Sequence, residues 1–133
     1  MIRTRDQIWA EHAATRVNQV NQGASDPDKK KYRSFAQSFP TLIHTCGLMQ
    51  AIAFAAKKNQ GYLCDFIYVL KGGQQDDDNF LDAVYKMELM KYVIKSRDAI
   101  QAASWLKRYA EALLPEPDDQ DADNAQTQGD DSQ

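Results

Sequence analysis

Apolar residues along this chain recur at intervals of three and four, the repeat of an α-helix. From about Thr4 to Gln22, Trp9, Ala13, Val17 and Val20 stand 4, 4 and 3 apart and share one side of a predicted helix, with Arg5, His12, Arg16 and Gln19 on another. The loop Gly23-Ala24-Ser25-Asp26-Pro27 predicts a second helix with Asp26 as its N-cap and Pro27 at its first position, running through Tyr32, Phe35, Ala36 and Phe39. Lys29, Lys30, Lys31 and Arg33 line its beginning. Pro40 is expected to end or kink that helix. The run from Leu42 to Ala56 is apolar nearly all round, which places it in the centre of a bundle. Gly47 inside it weakens a helix by about 1 kcal/mol relative to alanine, so a bend or a close crossing is expected there. Lys57 and Lys58 suit a last turn, and Gly61 supplies the stop.

A short fourth helix follows from Tyr62 to Lys71, with Leu63, Phe66, Ile67 and Leu70 on one face and Gly72-Gly73 at its end. After the polar stretch Gln74 to Asn79, Phe80, Leu81, Val84 and Tyr85 start a further helical stretch. Leu89, Val93, Ile100, Ala103, Leu106, Ala110 and Leu113 carry the period to Leu114, where Pro115 closes the longest helix. No segment alternates with a period of two and no unit repeats. The fold class is therefore all-α: a single compact helical bundle of about five to six helices with a long C-terminal helix.

Composition refines this picture mainly through charge. The chain has 133 residues, enough for one domain with a modest core, and a net charge of −3. That total conceals an asymmetry: residues 1–114 carry 16 basic and 12 acidic side chains, whereas residues 115–133 carry seven acidic and no basic ones. The first part is a basic helical bundle. The second has almost nothing to bury and one sign of charge, so it is expected to be a disordered acidic tail. Cys46 and Cys64 sit in apolar surroundings without metal-ligand spacing and are expected to be buried thiols. With neither a signal-peptide core near the start nor a stretch of membrane-spanning length, a soluble cytoplasmic protein is expected.

Candidate chemistry is sparse. His12 and His44 have no carboxylate or cysteine three or four residues away; His44 is expected to be a partly buried structural residue, and His12 shares a solvated face with Arg5 and Arg16. Asp76, Asp77 and Asp78 lack the alternating spacing, glycine and closing glutamate of a calcium loop, and read as a hydrated loop. No catalytic residues, metal ligands or cofactor signature emerge, so the chain is not expected to be an enzyme. An RNA-cleaving or metal-dependent enzyme built on Asp76–Asp78 with His12 or His44 would need residues from unrelated segments. What stands out is the placement of basic residues. Arg97, Gln101, Ser104 and Arg108 are spaced 4, 3 and 4 on the last helix, which puts them on one face, away from Ile100, Ala103 and Ala110. Together with Arg5, Arg16 and the Lys29–Arg33 cluster they offer guanidinium and ammonium groups to phosphates, or form an ordinary solvated surface.

Lys31-Tyr-Arg-Ser-Phe-Ala, then Phe39-Pro40, Cys46-Gly-Leu-Met-Gln-Ala-Ile-Ala-Phe54 and Trp105-Leu-Lys-Arg-Tyr-Ala-Glu-Ala-Leu-Leu114 resemble, in order, the pattern of the small subunit of the type III-B CRISPR effector (Cmr) complex. The likeness covers roughly residues 2–114; Cys46 before the Gly-Leu pair, the loop Gln74 to Asn79 and the acidic tail depart from it. The resemblance implies a non-catalytic filament subunit of a ribonucleoprotein in antiviral defence, with no cofactor. Its partners would be the backbone and large subunits of the Cmr complex, further copies of itself side by side, and the guide and target RNA whose path it lines. Basic faces fit that setting, because phosphate contacts fix position while base pairing reads sequence. Lys31, Arg33, Lys107 and Arg108 match the family pattern; Arg5, Arg16, Lys30 and Arg97 join them as candidate RNA-facing residues. Trp105 and Tyr109 form a candidate protein interface, the basis of an alternative in which the chain is a helical scaffold without RNA contact.

Overall fold

The computed structural model describes residues 2–73 and 80–116, which form six helices. Helix α1 (Arg5–Gly23) opens on Thr4, whose hydroxyl accepts from the Gln7 amide while the Gln7 side chain accepts from the Thr4 amide, a reciprocal cap. Trp9, Ala13 and Val17 are buried, as their spacing predicts. Helix α2 (Asp26–Cys46) is capped by Ser25, one residue earlier than expected: its hydroxyl accepts from the Asp28 amide, leaving Asp26 and Pro27 in the first turn.

Pro40 does not end α2. Ala36, Phe39 and Ile43 stand 3 and 4 apart and are all buried, so the packed face runs across the proline and holds the helix on course to Cys46. The break comes at Gly47, whose φ of 90° lies in the left-handed region that glycine enters without penalty. Gly47 closes α2 by donating to the Ile43 carbonyl and opens α3 (Leu48–Lys58) by accepting from the Ala51 amide. The long central helix expected from Leu42 to Ala56 is therefore two elements. The next corner is made by Asn59, not Gly61: the Asn59 side chain accepts from the Tyr62 amide at 3.1 Å and starts α4 (Gln60–Leu70), with Gly61 inside it.

Helix α4 occupies the centre. Tyr62, Leu63, Phe66, Ile67, Val69 and Leu70 are buried on nearly every side, and only the strip of Gln60, Gly61 and Cys64 faces solvent. Tyr62 and Phe66 meet Phe39 edge-on at centroid separations of 5.1 and 5.0 Å, and Phe35 joins the cluster. After Gly72 and Gly73, both at positive φ, the chain resumes in α5 (Phe80–Tyr85), which packs on α3. The turn Lys86–Glu88 separates it from α6 (Leu89–Leu113), which lies against both α1 and α2 through Ala99, Ala102, Ala103, Leu106 and Ala110. Alanines along that stripe let three helices approach closely.

Three burial expectations are corrected. Cys46 and Cys64 are both exposed, the first because α2 ends there beyond the core and the second because it lies on the solvent strip of α4. His44 is exposed, one step round the helix from buried Ile43. Leu89 and Val93, assigned to the core stripe of the last helix, are 73% and 41% exposed, because Tyr92 and Ser96 carry the packed side of α6 at that level. The triad Asp76–Asp78 and the acidic tail from Pro117 onward lie outside the described residues. No described helix is long and apolar enough to cross a membrane.

Candidate nucleic-acid interface

The helical scaffold divides the basic residues into an inward and an outward set. Arg33 is 8% exposed: adjacent Tyr32 and Arg33 both face the interior, and the Arg33 Nε is buried without a hydrogen-bond acceptor. Among the candidate RNA-facing residues it is the one that is buried rather than partly or fully exposed. Arg16 also turns inward. Its guanidinium lies over the Tyr68 ring at 3.7 Å and 3.8 Å from an Asp65 carboxylate oxygen.

Asp65 is the centre of that internal network. Its other oxygen accepts from the Tyr32 hydroxyl at 2.8 Å. Burial pushes the Asp65 carboxyl above the ordinary carboxylate range, with the Tyr32 hydrogen bond and the Arg16 charge opposing the shift. Burial and the neighbouring Asp65 together raise the Tyr32 hydroxyl well above its usual value. These groups tie α1, α2 and α4 together and act structurally. His12 belongs to the same seam: its ring meets Tyr68 edge-on at 5.3 Å and lies against Gly73.

Arg5, at the start of α1, pairs with Asp98 of α6 at 2.9 Å while two-thirds of its side chain remains exposed. Lys30 is half-buried. Lys31 is exposed on the rim of a groove between the α1 end and the α3–α4 corner, with Lys58 on the rim and Tyr32, Cys64 and Asp65 along it. On α6, Arg97, Gln101, Ser104 and Arg108 are all exposed, so the row read from their spacing faces outward as a unit. Lys107 is exposed beside it, and the Arg108 guanidinium rests 4.7 Å over the Trp105 ring, which orients it at the surface. Trp105 and Tyr109 stack at 6.2 Å but are half-buried against the core, and the Trp105 indole N–H donates to Asp6 at 3.3 Å. Much of that aromatic pair is thus spent on the α1–α6 seam.

The larger apolar surface lies elsewhere, at Tyr85, Leu89, Met90, Val93 and Ile94, and sequence reasoning missed it. The signal was present: Leu89, Met90, Val93 and Ile94 fall on the same side of the helix as Arg97, Gln101, Ser104 and Arg108, the face already read as turned outward. The Arg16–Asp65–Tyr32 network was also missed, although Asp65 is the only charged residue in the otherwise apolar Tyr62–Leu70. Among the described residues, no group of three or more His, Cys, Asp or Glu is placed to hold a metal ion.

Residues 5–113 match the family described as CRISPR-associated protein (Cas_Cmr5). The chain belongs to the Cmr5 family. A curated relative, the CRISPR system Cmr subunit Cmr5 of Thermus thermophilus, is 33% identical over 119 residues, spanning 86% of this chain and all of the relative. The crystal structure of a CRISPR-associated Cmr5 family protein from Thermus thermophilus superposes with a TM-score of 0.76 at 32% identity, again over 86% of this chain and all of that one. The family resemblance read from the Lys31, Gly47-Leu48 and Trp105 motifs is borne out, and the family match extends from the first residue of α1 to the last of α6.

Proposed function

We propose that this chain is a non-catalytic small subunit of a type III-B CRISPR effector, stacking along the backbone subunits and lining the path of the target RNA. The observation that carries the reading is the outward row Arg97, Gln101, Ser104 and Arg108 on α6 of a Cmr5-family bundle. Two guanidiniums about 16 Å apart along a rigid helix, at ~1.5 Å rise per residue, span several nucleotides of a phosphate backbone. Between them the polar side chains of Gln101 and Ser104 complete a face that contacts phosphate and sugar without discriminating bases. Lys107 extends this face, and Arg5 and Lys31 add exposed charge on α1 and α2. Sequence specificity is left to pairing between guide and target.

The test is target-RNA binding by the assembled effector as a function of salt, with wild-type subunit and with Arg97→Ala/Arg108→Ala. The logarithmic salt slope should become shallower by roughly 0.7 to 0.9 for each phosphate contact removed. An unchanged slope at full incorporation of the variant rejects this face as the RNA contact. Failure of the wild-type chain to enter the complex rejects the reading altogether.

A further inference from the structure

One end of the bundle brings lysines from separate helices around a concave surface. Lys31 of α2 and Lys58 of α3 border a groove of about 610 Å³ whose walls include Val20, Ala24, Tyr32 and Cys64. Two acids also line it. Asp65 is already engaged by Tyr32 and Arg16, which leaves Asp28 alone against Lys31 and Lys58, with Lys57 the preceding residue of α3. Neither Lys31 nor Lys58 makes an ion pair among the described residues.

The last helix ends at this same pole. It starts beside Gly47, where the Tyr92 hydroxyl accepts from the Met49 amide at 3.4 Å, and it lies along α2. It therefore runs antiparallel to α2 and finishes where α2 begins. The pairing of Arg5 with Asp98 agrees: it sets α1 beside α6 in the same direction, and α1 ends at the groove with Val20 and Ala24. Because α6 packs directly on α2 and α4, at ~8–10 Å between axes, the groove lies on the order of 20 Å from Leu114. Leu114 itself is extended, at φ −101° and ψ 152°, as a residue before proline prefers, so the chain leaves the helix there. The next nine residues hold Glu116, Asp118, Asp119, Asp121 and Asp123, with no cation as far as Gln133. Nine residues reach up to ~30 Å, enough to arrive at the groove.

We propose that the acidic segment 116–123 occupies this groove of its own chain, with its carboxylates on Lys31 and Lys58. Three observations select that occupant: its charge is of one sign and opposite to that of the two unpaired lysines, it begins at the pole where the groove opens, and it is long enough to arrive there. Tethering also gives it an effective concentration of the order of millimolar, which a free anion of similar charge would have to match. The consequence rests on the reading of the chain as an effector subunit. Lys31 meets phosphate only after RNA displaces the segment, which withholds the unassembled subunit from chance RNA.

The chain carries its own reporters for the test. Cys64 lines the groove, Cys46 lies at the opposite pole beside Gly47, and both are exposed. Alkylation of the full chain by iodoacetamide, an uncharged reagent, is followed at each cysteine by peptide mass spectrometry. Asp118→Asn/Asp119→Asn/Asp121→Asn/Asp123→Asn should accelerate Cys64 by about threefold or more at low salt and leave Cys46 unchanged, and the difference should vanish at high salt. In a Lys31→Gln/Lys58→Gln background the same four changes should leave the Cys64 rate where it was, because the groups they act through are gone. Equal Cys64 rates with and without the four aspartates overturn the proposal. So does an acceleration that persists without the two lysines or appears equally at Cys46. Protection of Cys64 that fades as the wild-type chain is diluted also overturns it, since the segment would then come from a second copy. No RNA enters this assay, so its failure leaves the salt-slope test of the α6 row untouched, and failure of that row leaves the groove result standing.

Discussion

Gly73→Ala combined with His12→Ala tests the seam that holds the end of α4 to α1. A Cβ placed on Gly73 would stand 2.5 Å from His12 Cε1 and 2.6 Å from Nε2, and Gly73 has a φ of 93°. Two costs therefore combine in Gly73→Ala: about 1–2 kcal/mol for a left-handed alanine, and about 1–3 kcal/mol for displacing the imidazole. The ring cannot swing away freely, because it sits edge-on against Tyr68, whose face carries the Arg16 guanidinium. The single substitution should cost about 2–5 kcal/mol, a loss of roughly 10–20 °C in Tm for a domain of this size. His12→Ala alone should cost only about 0.5–1.5 kcal/mol, the worth of the aromatic contact. In the double variant the collision is absent, so the two costs should fall short of additivity by about 1–3 kcal/mol, the left-handed penalty remaining. Urea denaturation of the four proteins measures the coupling. A Gly73→Ala penalty that His12→Ala leaves unchanged would refute the close approach as its origin.

Asp65→Asn should gain in relative stability as pH rises. Burial raises the Asp65 carboxyl, so between its unfolded and folded values the native state binds more protons, and the wild-type chain loses stability with increasing pH through that window. Variant minus wild-type Tm should therefore increase from acid to neutral pH and then level off; a decreasing difference would contradict the assignment. Arg33→Met keeps the aliphatic stem of a buried side chain and removes a charge that is largely withdrawn from the surface, so the salt slope of target binding should match wild type, unlike that of Arg97→Ala. Leu106→Ala empties a fully buried position where α6 meets the core and should cost about 2–5 kcal/mol by urea denaturation. A chain ending at Leu114 loses seven carboxylates that begin just beyond Lys107 and Arg108, and should bind random single-stranded RNA more tightly at low salt; equal affinity would show that the acidic segment does not compete for the basic surface.

The helical class and most element boundaries were legible because they depend on local spacing and on glycine, proline and cap chemistry. The order of the elements follows directly from Trp9-Ala13-Val17, Leu63-Phe66-Ile67-Leu70 and Ala103-Leu106-Ala110. Where the reading failed, a longer-range contact overrode a local rule. Pro40 breaks an isolated helix, yet Ala36, Phe39 and Ile43 are buried on both sides of it, and that packing outweighs the lost backbone hydrogen bond. Gly47, whose penalty within a helix is smaller, becomes the real corner because only its backbone tolerates the φ of 90° that turns α3 away from α2. Centrality moved from the segment around Gly47 to α4 for the same reason: apolar character on all sides shows that a helix can be enclosed, and its neighbours decide whether it is.

The same limit governed the site. Spacing placed Arg97, Gln101, Ser104 and Arg108 on one face because a single straight helix carries all four, and each is exposed. Spacing within α2 gave no comparable warning for Arg33, since an arginine beside a buried tyrosine is solvated or enclosed according to what α4 and α6 bring against it. Arg16 shows how the choice is made: Tyr68 and Asp65, more than 45 residues away in sequence, supply a ring and a carboxylate that hold its charge inward. Conversely, Leu89, Met90, Val93 and Ile94 look like core in any one-dimensional count and are left outside because Tyr92 and Ser96 carry the packed side of α6 at that level. The bundle closes without those side chains, which is why no reading of α6 by itself decides whether they are core or surface.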